Sequence, residues 1–121
     1  MNMKNAKFAN IIQAIKKFRD ERDWMQFHNP KDMAAALAIE SSELQELFLW
    51  KNKEEIEEYI KDKKNIEEVE EELADVFSFA IELADNLGID IEKSIESKLK
   101  KNSEKYPISK AKGKSTKYTK L

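Results

Sequence analysis

Two glycines and two prolines in 121 residues leave this chain nearly without the residues that shape tight turns. A β-sandwich or barrel needs a turn signal about every 8–12 residues, and the sequence has nowhere to put them. Helices need few such breaks, and a 38% charged fraction rich in Glu and Lys points the same way. The sequence therefore predicts an all-α fold. Its length suits one domain with no second core. A core of that size is marginal alone, so association between chains is expected.

Composition also excludes chemistries. With no cysteine there is no disulfide framework, Fe–S ligation or thiolate zinc site. A single histidine, His28, rules out multi-histidine metal sites and the paired Glu-x-x-His signature of di-iron bundles. No stretch is apolar enough to cross a membrane, and the N-terminus lacks the apolar core of a signal peptide. A cytoplasmic protein with no membrane partner is expected. Residues 107–121 carry five lysines and no acid, leaving an acidic body before them. That body argues against nucleic-acid binding. We read residues 1–106 as one domain and 107–121 as a basic, solvated, flexible tail.

Phe8, Ile11, Ile12, Ile15 and Phe18 fall on one stripe at helical spacing, which predicts a first helix over about 4–22. Residues 22–29 lose that period and form an unusually aromatic loop. Asn29-Pro30 then reads as an N-cap and first-turn proline, opening a helix that continues to about Trp50. A short charged helix over about 53–62 follows. Asn65 with Glu68 suggests the cap of a long helix that Gly88 ends. Asp90 can cap the last helix, which Pro107 stops near Tyr106. The result is a four-helix bundle with one short extra helix.

Two helices then break their own amphipathic rule. At about 100° per residue, Glu40 falls inside the apolar arc of Met33, Leu37, Leu44, Leu47 and Phe48, and Glu43 lies on its border. The long helix repeats this, with Glu72 and Asp75 flanking the arc of Val69, Leu73, Val76, Ala80 and Leu83, and Phe79 between them. A carboxylate aimed at a core must pair, keep a proton or hold a metal. Packed together, the two helices would converge four oxygen donors, a set suited to Mg²⁺ or Mn²⁺ and hence to a phosphate ligand. Glu67, Glu70 and Glu71 read instead as a solvated face.

On the last helix Lys98, Asn102 and Tyr106 share the inward side with Ile91, Ile95 and Leu99. They either partner a phosphate chain or the carboxylates, or Lys98 snorkels along the bundle. Trp24, Phe27, His28 and Trp50 either cover a core edge or sandwich a flat base. Neither a nucleophile elbow nor a Walker P-loop is present.

These blocks, Arg22-Asp-Trp-Met-Gln-Phe-His-Asn-Pro30, Ala38 to Trp50 with Glu40-x2-Glu43, Glu71-Glu-Leu-Ala-Asp-Val76, and Lys98 to Pro107, occur in order across about 8–107. In them the sequence resembles the MazG-like family of all-α nucleoside triphosphate pyrophosphohydrolases, and within it the dCTP pyrophosphatase branch. The resemblance implies Mg²⁺, with Mn²⁺ as a substitute, held by Glu40, Glu43, Glu72 and Asp75, with Glu40 or Glu43 acting on the attacking water. It implies that Lys98, Asn102 and Tyr106 lie by the phosphates or sugar. Trp24 and Trp50 would line the base pocket near His28 and Phe79, Trp50 being contributed by a neighbouring chain of a homodimer or homotetramer. The family's motif often begins with adjacent glutamates, where this chain has Ile39. The dCTP branch often has histidine at the place of Ile15 and tyrosine at that of Phe79.

The implied activity is conversion of a (d)NTP, dCTP or a modified dCTP foremost, to monophosphate and pyrophosphate, serving nucleotide-pool cleansing. The same chemistry on dUTP or a broad set of triphosphates remains open. So does a non-enzymatic helical oligomerisation module whose acidic seam pairs with Lys98 and the arginines of the first helix.

Overall fold

A computed structural model of the chain describes the backbone over residues 3–121 and side chains from residue 7 onward. Six helices and no strand occur among the described residues: α1 (Met3–Glu21), α2 (Pro30–Glu46), α3 (Lys53–Tyr59), α4 (Lys63–Asn86), α5 (Ile91–Lys105) and α6 (Ile108–Ala111). Single 3-10 turns lie at Met25–Phe27 and Tyr118–Lys120. The all-α expectation holds. The described chain divides into two units, Met1–Gly88 and Ile89–Leu121.

In the first unit α4 is the central element, packing mainly against α2 and also against α1. Met33 of α2 and Ile81 and Ala84 of α4 form its buried apolar centre. The rest of the predicted arc of α2, Leu37, Leu44, Leu47 and Phe48, is half-buried. Many large apolar side chains stay exposed, among them Ile11, Phe18, Ile39, Phe77 and Leu87. This is the thin core that the chain's size led us to expect.

The helix boundaries follow local chemistry. Asn29 caps α2 by accepting from the Asp32 backbone N–H at 2.9 Å, with Pro30 in the first turn. The helix stops at Glu46, four residues before the expected end at Trp50. Leu47, Phe48 and Leu49 switch to bonds with the carbonyls three residues back, and Trp50 takes a left-handed backbone at φ 67°. Lys51 Nζ fastens this turn on the Leu47 carbonyl at 2.8 Å and lies 4.7 Å from the Tyr59 ring centroid. A capping box of Asn52 and Glu55 then starts α3.

The cap of α4 is Asp62, which accepts from the Lys64 N–H, and not Asn65. Asn65 lies inside the helix and donates its side-chain amide to the Tyr59 carbonyl, tying α4 back to α3. Gly88, at φ 65°, follows the last residues of α4 as expected.

In the second unit Asp90 caps α5 by accepting from the Lys93 N–H. Pro107 follows the helix closely. The lysine-rich segment, read from composition as a solvated end, carries α6 and a 3-10 turn, and the Tyr118 ring meets Tyr106 edge-on at 5.8 Å.

Candidate functional site

Packing of α2 on α4 brings the out-of-pattern carboxylates together. Glu40, Glu43 and Glu72 each offer an oxygen within 4.8 Å of the others. Glu40 and Glu72 are half-buried, and in each Oε2 is enclosed with no hydrogen-bond partner among the described residues. A buried acceptor left unmade is costly, so these oxygens are shaped for something absent from the chain itself. Asp75, exposed one turn beyond Glu72, adds its charge to the same neighbourhood.

The electrostatics carry the same message. Partial burial first, then the adjacent Glu43 carboxyl, then the charges of Asp75 and Glu72 push the Glu40 carboxyl up to about 7. Glu72 is raised too, by burial foremost and next by the charges of Glu43 and Asp75. Like charges that cannot all ionise cheaply are stabilised by a cation.

The donors fit a hard divalent ion. All are carboxylate oxygens, with no nitrogen or sulfur to favour a softer metal. Around Mg²⁺, with bonds of about 2.0–2.1 Å, ligand oxygens stand at most about 4.2 Å apart, so small side-chain rotations close the observed set.

Next to this cluster lies a cavity of about 460 Å³, lined by Ala14, Ile15 and Phe18 of α1, by Trp24 and His28, and by Asp75, Ser78, Phe79 and Glu82 of α4. That volume lies in the range of small-molecule sites. Asp75 stands outside the converging trio, but its charge acts on Glu40 and Glu72 and it lines the cavity, so the acidic cluster lies beside an aromatic pocket. The loop that supplies Trp24 turns sharply at Asp23, whose φ is 55°, a conformation Asp tolerates better than most residues. Gln26 locks the turn by donating to the Asp23 carbonyl and carboxylate at 2.9 and 3.0 Å. Trp24 then meets Phe18 edge-on at 5.7 Å and stands 6.2 Å from the His28 ring.

The aromatic residues singled out by sequence therefore part company. Trp24, His28 and Phe79 line the cavity, while Phe27 points outward. Ile15 lines it as well. Trp50, 91% exposed in the turn after α2, lies outside this cavity. In the second unit Lys98 borders a shallow groove with Lys93, Ser94, Ser97 and Lys101. Asn102 is half-buried and Tyr106 packs on Tyr118.

Sequence reasoning missed Glu82, a buried carboxylic acid in the cavity wall. Its signal was available: it lies seven residues after Asp75 and so on the same helix face. Its oxygen Oε1 lies 3.5 Å from His28 Nδ1. Burial raises the Glu82 carboxyl, while His28 and Arg19 pull it back. Also missed was the buried Arg19, which donates to Asp85 at 2.8 Å and Asp20 at 2.9 Å.

Among the described residues, no helix is long and apolar enough to cross a membrane. A family model described as MazG-like matches residues 35–121. The dCTP pyrophosphatase 1 proteins of Rattus norvegicus and Homo sapiens are each 37% identical over 105 residues, covering 87% of this chain and 62% of theirs. The chain thus spans less than two thirds of the length of these curated relatives. A crystal structure of a pyrophosphatase from Archaeoglobus fulgidus aligns with a TM-score of 0.76 at 35% identity, over 84% of this chain and 93% of that one.

Proposed function

The chain belongs to the MazG-like family, and on that premise we propose that it hydrolyses a nucleoside triphosphate to the monophosphate and pyrophosphate, favouring dCTP or a 5-modified dCTP. The single observation that carries this is an oxygen-only acidic cluster of Glu40, Glu43 and Glu72 beside an aromatic cavity, with Asp75 in the cavity lining acting on the cluster through its charge. One half suits a cation with phosphates, the other a flat base. The names of the relatives, dCTP pyrophosphatase 1, support the choice of base.

Glu40, Glu43, Glu72 and Asp75 would hold Mg²⁺, with Mn²⁺ as a substitute. When bound, such an ion neutralises phosphate charge and lowers the pKa of its water. Glu40 and Glu43 stand closest to proton chemistry. Whichever is less engaged as a ligand orients the attacking water and takes its proton. Trp24 and Phe79 stack on or flank the base, with His28 at its edge. Lys98 and Asn102, with Tyr106 close by, meet the phosphates or sugar, where an ammonium offsets charge on the leaving pyrophosphate.

The acting species on this reading is a homodimer or homotetramer in the cytoplasm, cleansing the nucleotide pool. Support comes from Ile39, Leu49 and Trp50, large apolar side chains exposed along α2 and the turn after it. Burying these side chains against another copy would remove their apolar surface from water.

The test is a product assay with Mg²⁺ across dNTPs and NTPs, quantifying pyrophosphate and orthophosphate separately. Pyrophosphate with monophosphate, lost on addition of EDTA, is the expected result. Orthophosphate alone, or no product, overturns the proposal.

A further inference from the structure

Glu82 is the titratable residue of the cavity lining that no part of the proposed chemistry uses. It is 6% exposed, in a wall made largely of Ala14, Ile15, Phe18, Trp24 and Phe79. A carboxylic acid in such surroundings needs a partner. Among the described residues none hydrogen-bonds its side chain. Its nearest polar neighbour is His28 Nδ1 at 3.5 Å, and that nitrogen is itself buried without a hydrogen bond. Arg19 acts on Glu82 through its charge, while the hydrogen bonds of its Nε and Nη1 go to Asp20 and Asp85. Asp85, one turn beyond Glu82, is satisfied by Arg19 and Lys16. The cavity thus holds one unmet donor–acceptor pair on its wall, side by side.

Position gives this pair a meaning. Glu82 follows Asp75 by two helical turns, about 10 Å along α4. A nucleotide with its phosphates at the acidic cluster would bring its base edge to that depth. Cytosine presents an N4 amino donor where uracil and thymine present an O4 acceptor. A carboxylate accepts from the first and repels the second.

Resting on the reading of the cavity as a nucleotide pocket, we propose that Glu82, oriented by His28, reads the exocyclic amino group of a cytosine base and rejects a carbonyl oxygen there. Glu82 is then a specificity residue and His28 the residue that positions it.

The experiment measures kcat/KM for dCTP and dUTP on the wild type and on Glu82→Gln. Both substrates are assayed on one preparation, so any unfolded fraction cancels from the ratio. The carboxamide offers a donor as well as an acceptor, so the dCTP/dUTP ratio is expected to fall by about tenfold or more. A ratio that stays within about twofold of wild type overturns the assignment while leaving the pyrophosphohydrolase reading intact. A wild type that cleaves neither nucleotide overturns that reading, and this one with it. Should Glu82→Gln fail to fold, calorimetric binding of dCMP and dUMP to the wild type decides. A preference for dCMP of about tenfold supports the proposal, and equal binding overturns it.

Discussion

Arg19 and Asp85 lie 66 residues apart in sequence and meet at 2.8 Å, joining the C-terminal turn of α1 to that of α4. Arg19 is only 3% exposed, so the contact is made with little water to replace it. Burial alone would raise Asp85, but hydrogen bonds from Arg19 and Lys16 outweigh it and hold the carboxyl below its ordinary value. A depressed carboxyl stabilises the fold above its unfolded pKa, and that contribution is lost as pH falls through the lower folded value. Replacing Arg19 by Met should cost about 1–3 kcal/mol at neutral pH, since it leaves the part-buried Asp85 without its main donor. Much of that difference should vanish as pH falls through the lowered folded value of Asp85, once it is protonated in both states. Urea denaturation of the two proteins at pH 7 and at acid pH measures it.

Glu43 is the exposed member of the cluster. Glu43→Gln should therefore keep its helicity and thermal midpoint while turnover falls by about 100-fold or more. Circular dichroism beside the product assay separates the two effects. Near-wild-type turnover would remove Glu43 from the chemistry.

Glu40 gives the cation a pH signature. With its carboxyl raised from 4.5 to about 7 in the folded chain, the native state binds the extra proton between those values. The metal-free protein should thus lose some stability as pH rises through that window. An added divalent ion displaces the proton, so the thermal shift produced by Mg²⁺ should be larger at pH 8 than at pH 5.5. Differential scanning fluorimetry with and without EDTA reads both values. Equal shifts at the two pH values would count against Glu40 as a ligand.

Trp50 poses a different question, because its side chain stays 91% exposed on its own chain. Trp50→Gly should leave the fold of the isolated chain intact or firmer, since glycine adopts the left-handed backbone at that position without strain. If a neighbouring chain's base pocket uses the indole, KM for the nucleotide should rise about tenfold, the loss of one stacked ring. Steady-state kinetics and sedimentation together distinguish loss of stacking from loss of assembly.

Most of the fold was legible because helical periodicity and capping residues are local. Asn29, Pro30, Gly88 and Asp90 act within a few residues of themselves, and each does what its type predicts. The carboxylates of α2 and α4 were legible for the same reason: Glu40 betrays itself by its apolar neighbours on its own helix. What escaped depended on contacts distant in sequence. Arg19 reads as an ordinary surface arginine until Asp85 is brought beside it. Glu82 looks like one more acid in an acid-rich helix until the walls of the cavity close around it. The early end of α2 was hidden too, because nothing in Leu-Phe-Leu-Trp forbids a helix. Lys51 and the Asn52 capping box end it from outside.

That turn has a thermodynamic consequence. An exposed tryptophan on a loose loop would forfeit backbone freedom on contact with a partner, and such ordering weakens association. Here Lys51 clamps the Leu47 carbonyl and the Asn52–Glu55 box fixes the chain immediately after Trp50. The indole is therefore presented on a backbone already ordered in the free protein. Whatever surface covers it gains the burial of a large aromatic ring, while only the side chain's own rotations remain to be frozen.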